Sequence, residues 1–244
     1  MGMPVADVDE AGLLDHVFGA LARGEGGWIV TANLDILRRY ALDSDCRALY
    51  DAAEIRVADG MPLVWASRVA GRPLPERIAG STLTLDLAER AAREGRSLYL
   101  LGGDPGTAAA CRASLESRFA GLTIAGTSSP RVGSPANWAE VERIAASIEG
   151  DPDIVLVGLG SPKQEFLIQK LRQRFPKTWF MGVGITFSFV AGEVARAPEW
   201  MQRAGVEWVH RMVQDPGRLV RRYLIEDLPF AGVLFASAVR DRLR

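Results

Sequence analysis

The chain is poor in histidine and cysteine. Two histidines, His16 and His210, and two cysteines, Cys46 and Cys111, are scattered over 244 residues. Zinc sites gather about four such ligands at close spacing, so no metal cluster is expected, and two distant cysteines make no disulfide framework. A reducing compartment is the default for such a chain. A charge excess is also lacking: 29 Lys and Arg face 30 Asp and Glu, a formal net charge of −1. No global field therefore marks the chain as a nucleic-acid binder. Apolar runs stay below the roughly 18 residues of a membrane span. The nearest, Leu228–Val239, is short and followed by charges. Met1–Glu10 is acidic without an apolar centre, so no signal peptide is expected. Internal repeats and low-complexity segments are missing too.

What is present is a set of short apolar runs separated by helical patterns. Hydrophobic residues make up 48% of the chain, enough for the core of one large domain with or without an appendage. The most informative stretch is Ile154–Glu165, IVLVGLGSPKQE. Its β-branched run Ile154–Val157 reads as a buried parallel strand. Gly158 and Gly160 then allow a tight turn. Ser161 is a candidate helix cap, Pro162 suits a first turn, and Lys163, Gln164 and Glu165 begin a helix. A strand, a glycine turn and a helix N-terminus together form an anion site, to which Lys163 would add a positive charge. The third glycine of a dinucleotide fingerprint and the Gly-Lys-Ser/Thr of a P-loop are both lacking. An ordinary tight turn in an α/β domain is the plain alternative.

Other strands end in polar residues. Trp28–Thr31 is followed by Ala32-Asn33-Leu34-Asp35, and Glu54–Ala58 by Asp59-Gly60. The carboxyl edge of an open α/β sheet is where ligands bind, so Thr31, Asn33 and Asp59 are site candidates. Helix capping is the competing role for Thr31, Asn33 and Asp59. Gly71–Gly80 is a proline-rich loop carrying Arg72 and Arg77. Ser97–Leu101 leads into Gly102-Gly103, a second glycine turn before a helix at Thr107–Phe119. Further strands are expected at Leu122–Thr127 and Thr178–Val183. Asp151-Pro152-Asp153 resembles a metal-binding Asp-x-Asp, but it precedes its strand and so falls at the opposite edge. Glu193 and Asp35 are weaker second carboxylates.

Strands alternating with helices predict a doubly wound, mostly parallel α/β sheet of Rossmann-like type over residues 1–194. Residues 195–244 contain no strand pattern and three expected helices, Pro198–Ala204, Val206–Gln214 and Gly217–Phe230. This basic, tryptophan-containing appendage suits a membrane surface or a lid over an anionic ligand, against a simple packed helical subdomain.

Six motifs occur in order: Thr31-Ala32-Asn33, Ala58-Asp59-Gly60-Met61, Arg77-Ile78-Ala79-Gly80-Ser81, Leu101-Gly102-Gly103, Gly158–Glu165 and Arg196-Ala197-Pro198-Glu199-Trp200. In this the chain resembles the WecG/TagA/CpsF family of bacterial glycosyltransferases from about Trp28 to Tyr223. The run from Glu207-Trp208 to Arg221-Arg222-Tyr223 matches that family's C-terminal appendage. The resemblance implies inverting, metal-independent transfer of a sugar, often N-acetylmannosamine, from a UDP-sugar to a polyprenyl-diphosphate-linked saccharide. No cofactor is implied. The setting it implies is the inner face of the cytoplasmic membrane, in teichoic acid, common antigen or exopolysaccharide synthesis, with a homo-oligomer as a further expectation. Asp59 matches the family's proposed general base. Thr31, Asn33, Arg77 and Gln164 match positions tied to its active site. Arg211, Arg218 and Arg221 match arginines thought to close over the diphosphate. Gly102, Gly103, Gly158, Gly160, Pro162, Lys163 and Glu165 complete the substrate-binding candidates.

The chain departs from the family pattern at Ile185, Ser188 and Thr82, where relatives often carry glycine, aspartate and aspartate, and this bears on donor identity. Two other classes compete: a Rossmann-type oxidoreductase or methyltransferase using the Gly158 turn, and a non-enzymatic membrane-peripheral protein binding lipid through its basic tail. Removing the tail after about Ala195 is expected to lower catalysis and membrane association and to leave the α/β core folded.

Overall fold

The computed structural model describes residues 2–134, 137–203 and 205–243, apart from the side chains of residues 203 and 218. The end of the expected Pro198–Ala204 helix falls outside these residues. Six strands form one sheet: β1 (Gly27–Ala32), β2 (Ile55–Ala58), β3 (Ser97–Gly102), β4 (Thr123–Ser128), β5 (Ile154–Gly158) and β6 (Trp179–Gly182). Their order is β2-β1-β6-β5-β3-β4, and every neighbouring pair is parallel. The sheet is thus wholly parallel, and both of its faces need cover.

Side chains along each strand point alternately to the two faces. Ile154 and Leu156 join one buried cluster, while Val155 and Val157 join the other. On the first side, α1 (Glu10–Ala22), α5 (Gly80–Glu94) and α6 (Thr107–Arg118) pack over Ile154 and Leu156. On the other lie α2 (Leu34–Leu42), α3 (Ser44–Asp51), α4 (Met61–Val69), α7 (Trp138–Ala146) and α8 (Lys163–Arg174). The short α9 (Thr186–Val190), not expected from the sequence, sends Phe187 into the first cluster.

The appendage contains α10 (Glu199–Arg203), α11 (Glu207–Gln214) and α12 (Pro216–Val220), a π-helical stretch Arg221–Asp227, and α13 (Leu228–Arg242). The expected third helix thus runs on past Phe230 for three more turns. Phe230, Leu234 and Ala238 of α13 are buried in the second cluster beside α4, so this helix completes the sheet's cover. The π winding, with its i to i+5 bonding, sets Arg221 3.6 Å from Glu226 and Arg222 3.6 Å from Asp227, both five residues apart. A charge cluster then fastens appendage to core. Asp35 of α2 is 1% exposed and lies 3.2 Å from Arg222, while Arg38 reaches Asp35, Glu226 and Asp227. Burial pushes the Asp35 carboxyl up, but Arg222, Arg39 and Arg38 outweigh it and hold it below its ordinary value.

Candidate functional site

At the carboxyl edge of the sheet lies a cavity of about 500 Å3, walled by the ends of β1, β2, β5 and β6 and roofed by the appendage. The β1–β2 ladder delivers its polar floor. Asp59 follows β2, and its amide donates to the Ala32 carbonyl at 2.8 Å, so pairing extends one residue beyond the strand. The next loop folds back along the strand end, the Ile78 amide donating to the Ala58 carbonyl at 2.9 Å. That brings the Gly80 amide within 3.2 Å of Asp59 Oδ2. A Cβ on Gly80 would stand 3.1 Å from Thr31 Oγ1, a tight approach, and 3.6 Å from Asp59 Oδ2, an ordinary contact, so a glycine eases the loop's closure on Thr31. Asp59 does not cap α4: Gly60 stands at that position, with no side-chain bond. Asn33 does cap α2, accepting from the Ile36 amide at 3.1 Å, and it lines the cavity as well.

Burial dominates the electrostatics of Asp59. It raises the carboxyl to about 7, against the opposing pull of the Gly80 amide and the charge of Arg77; Glu207 pushes it further up and Arg211 pulls it down. All three charged side chains line the cavity. Glu207, on α11, lies 3.8 Å from Arg77 and 4.0 Å from Arg196, so it ties the appendage to the loop beside Asp59. Arg211 lies over the Phe189 ring at 5.9 Å.

The β5–α8 turn forms the opposite wall through Gly160, Ser161, Gln164 and Glu165. Its local bonding differs from the sequence reading. Pro162 takes the N-cap position without a side-chain bond, and Ser161 Oγ instead lies 3.3 Å from the Tyr50 hydroxyl. Lys163 Nζ donates to the Val132 carbonyl at 2.8 Å, which turns its charge toward the β4–α7 loop. Gln164 instead joins two loops: its Oε1 accepts from the Gly160 amide at 3.2 Å and the Gly184 amide at 3.1 Å, bracing two turns at once. Its Nε2 donates to Glu165 Oε1 at 2.9 Å. Glu165 is buried, its Oε2 has no hydrogen-bond partner, and burial raises its carboxyl despite the Gln164 bond. Gly158, Pro162 and Lys163 stand behind this wall. So do Gly102 and Gly103, where the Gly103 amide donates to the Gly158 carbonyl at 2.8 Å and the two glycine turns support each other.

The structure therefore brings Asp59, Thr31, Asn33, Arg77, Gly160, Gln164, Glu165 and Arg211 around one space. Arg221 is not among them: its side chain is 81% exposed beside Glu226. The Arg218 side chain lies outside the described residues. Sequence reasoning matched Glu207, Trp208, Arg222 and Tyr223 to the appendage but named neither them nor Phe189 as site residues, and all five line the cavity. Arg222 is the neighbour of a named arginine, and of the pair it is Arg222 that lines the cavity. Of the departures noted above, Ile185 lines the cavity and Thr82 accepts from Arg196 at 3.0 Å. Asp35 lines the cavity but is held by arginines, and Glu193 accepts from Thr107 at 2.9 Å, away from it. Asp153 is tied to Ser97 and Arg96 at the amino edge, as its place before β5 requires. Among the described residues no group of three or more His, Cys, Asp or Glu side chains is arranged to hold a metal ion. A carboxylate able to take a proton near neutral pH thus shares its cavity with arginines able to hold an anion.

Comparison with known proteins places the chain among glycosyltransferases. The model for the family described as "Glycosyl transferase WecG/TagA/CpsF family" matches residues 1–244. Over 198 residues the chain is 34% identical to the N-acetylglucosaminyldiphosphoundecaprenol N-acetyl-beta-D-mannosaminyltransferase of Bacillus spizizenii, covering 81% of this chain and 75% of that protein.

Proposed function

The chain belongs to the WecG/TagA/CpsF family of glycosyltransferases, and from that premise we propose that it moves a sugar from a UDP-sugar to a polyprenyl-diphosphate-linked saccharide. Transfer inverts the anomeric centre and uses no metal. The similar Bacillus spizizenii enzyme, whose name specifies a mannosaminyl group and an undecaprenol-diphosphate-linked N-acetylglucosamine, supports N-acetylmannosamine and that acceptor as first candidates.

The observation that carries the reading is Asp59. It stands at the sheet's carboxyl edge, holds its proton to about pH 7, and shares the cavity with Arg77 and Arg211. In a single displacement the acceptor hydroxyl oxygen bonds to the anomeric carbon as the bond from that carbon to the UDP phosphate breaks. The electron pair leaves with UDP, and the hydroxyl proton passes to Asp59. Arg77 and Arg211 offset the charge that develops on the leaving diphosphate. Residues 195–244 act as a lid, with Glu207 latching α11 to Arg77 and water excluded beneath it.

The same segment supports a membrane-surface location. Among the described residues no helix is long and apolar enough to cross a membrane. Ile225, Leu228, Val239 and Leu243 are nevertheless exposed along one side of the π segment and α13, in a tail that also carries exposed Arg221, Arg240 and Arg242. That pattern suits a helix lying on an anionic bilayer, and the cytoplasmic leaflet is our proposal for which one.

The test is transfer from UDP-N-acetylmannosamine to prenyl-diphosphate N-acetylglucosamine in EDTA, with the product's anomeric configuration read by NMR. Undiminished transfer by Asp59→Asn would remove the base assignment. Binding of NAD or S-adenosylmethionine in place of UDP, read by thermal shift, would favour a different reaction class.

A further inference from the structure

The cavity has two chemically distinct ends. One is the polar site around Asp59. The other runs between α4 and α13 and is lined by Met61 and Trp65 on the first helix and Leu228, Ala231 and Phe235 on the second. The appendage closes over it at close range: a Cβ on Gly205 would lie 2.5 Å from Met61 Cγ and 3.4 Å from the Trp65 ring. None of these five side chains carries a charge, whereas Arg77, Arg211 and Arg222, with the carboxylates Asp35, Asp59, Glu207 and Asp227, line the rest of the same cavity.

The faces of α13 show where this arm leads. At about 100° per residue, Phe230, Leu234 and Ala238 occupy the face buried in the core. Leu228, Ala231 and Phe235 occupy the adjoining face, which lines the cavity. Val239 and Leu243 continue the apolar surface outward into solvent. From Leu228 to Val239, apolar surface passes round the helix from core to cavity to exterior, and the charges of Arg240, Asp241 and Arg242 enter only in its last turn.

Resting on the acceptor class proposed above, we propose that this arm is the binding site for the first isoprene units of the acceptor's prenyl chain. The acceptor's diphosphate sits beside Arg222, leaving Arg77 and Arg211 to the UDP, the chain runs between α4 and α13, and it leaves along the exposed face of α13. A water-soluble acceptor would have no use for such an arm. A prenyl diphosphate needs an anion site and an apolar channel to be continuous, and here they are one cavity.

The experiment compares farnesyl diphosphate with inorganic pyrophosphate by calorimetric titration of the full chain, so that it does not depend on turnover. The wild type is expected to bind farnesyl diphosphate at least tenfold more tightly. In Ala231→Trp, which fills the arm, the ratio should fall to within about twofold of one. Phe235→Ser serves as a second variant, and circular dichroism melting selects whichever is folded. Equal affinities in the wild type, or an unchanged ratio in a folded variant, would overturn the assignment. The proposed reaction fails separately: a chain that shows the farnesyl preference but transfers no sugar keeps the arm and loses the reaction. Equal KM values for acceptors with and without the prenyl chain would overturn the arm and leave the reaction standing.

Discussion

Asp59 holds its proton because the cavity withdraws it from water faster than Arg77, Arg211 and the Gly80 amide can compensate. The consequence for stability has a definite sign. A carboxyl at 3.8 when unfolded and about 7 when folded binds its proton more tightly in the folded state, so stability falls as pH rises between those values. Asp59→Asn should therefore melt higher than the wild type at pH 8, with little difference at pH 4, while transfer falls by about 10²- to 10⁴-fold. The acid limb of kcat/KM should lie near pH 7. Glu207→Gln removes a charge that raises Asp59 and should move that limb toward lower pH; Arg77→Gln should move it higher. A limb that stays put in both variants would mean that another group titrates. Glu10 carries a second raised carboxyl, to about 8, through burial, its hydrogen bond with Asp86, and the charges of Asp86 and Glu76. Its stabilising effect fades from about pH 4.5, where the unfolded chain ionises, to about pH 8, where the folded carboxyl does, so Glu10→Gln should flatten the fall in melting temperature between pH 5 and 8.5. At this scale the sequence was legible where a position follows from a strand end. Asp59, Thr31 and Asn33 were readable because a buried strand announces its own terminus. Glu207 and Arg222 were not, since what places them beside Asp59 and Asp35 is the docking of a distant segment.

Among the elements, the two glycine turns divide into different kinds. Gly102 has a φ of +110°, and a Cβ there would lie 2.6 Å from the Gly158 carbonyl oxygen, a backbone atom that cannot swing away. Gly160 has a φ of +75° with nothing within 4 Å. Gly102→Ala should accordingly cost about 2–4 kcal/mol in urea unfolding, from overpacking and backbone strain together. Gly160→Ala should cost only the strain, about 1–2 kcal/mol. Equal costs would mean that the stacking of the turns contributes nothing. Gln164→Leu probes the brace across both turns: two amides lose their acceptor, at about 1–3 kcal/mol each where water cannot replace it. Strand positions were readable from short β-branched runs, because a strand covered on both faces has little choice of composition. The expected Ser161 cap failed because the helix begins one residue later, with Pro162 at the N-cap position and Ser161 Oγ beside the Tyr50 hydroxyl, a partner 111 residues away that no local spacing rule describes. The length of α13 was hidden for a related reason. Leu228–Val239 is apolar nearly all round, and periodicity cannot mark a boundary where core, cavity and exterior faces are all apolar.

For the molecule as a whole, α13 joins two tasks that the sequence reading had separated. The helix was expected to belong to a detachable tail, yet Phe230, Leu234 and Ala238 are core residues, and Arg222 and Asp227 complete the charge cluster around Asp35 and Arg38. Ending the chain after Ala195 would bare the apolar surfaces of α2 and α4 and leave Asp35 without Arg222. Burial of Phe230 and Leu234 alone is worth about 1.5–3 kcal/mol each. The truncated chain should therefore melt well below the full chain, and lost activity in it would not by itself identify a lid. The outward face offers a cleaner separation. Ile225 and Val239 are exposed, so Ile225→Ser with Val239→Ser should change stability by no more than about 1 kcal/mol. If α13 lies on the bilayer, the same pair should weaken sedimentation with anionic vesicles severalfold and leave binding to neutral vesicles low. A double variant that melts like the wild type and still pellets with anionic vesicles would move the membrane contact away from this helix, to the arginines or to the exposed Trp200.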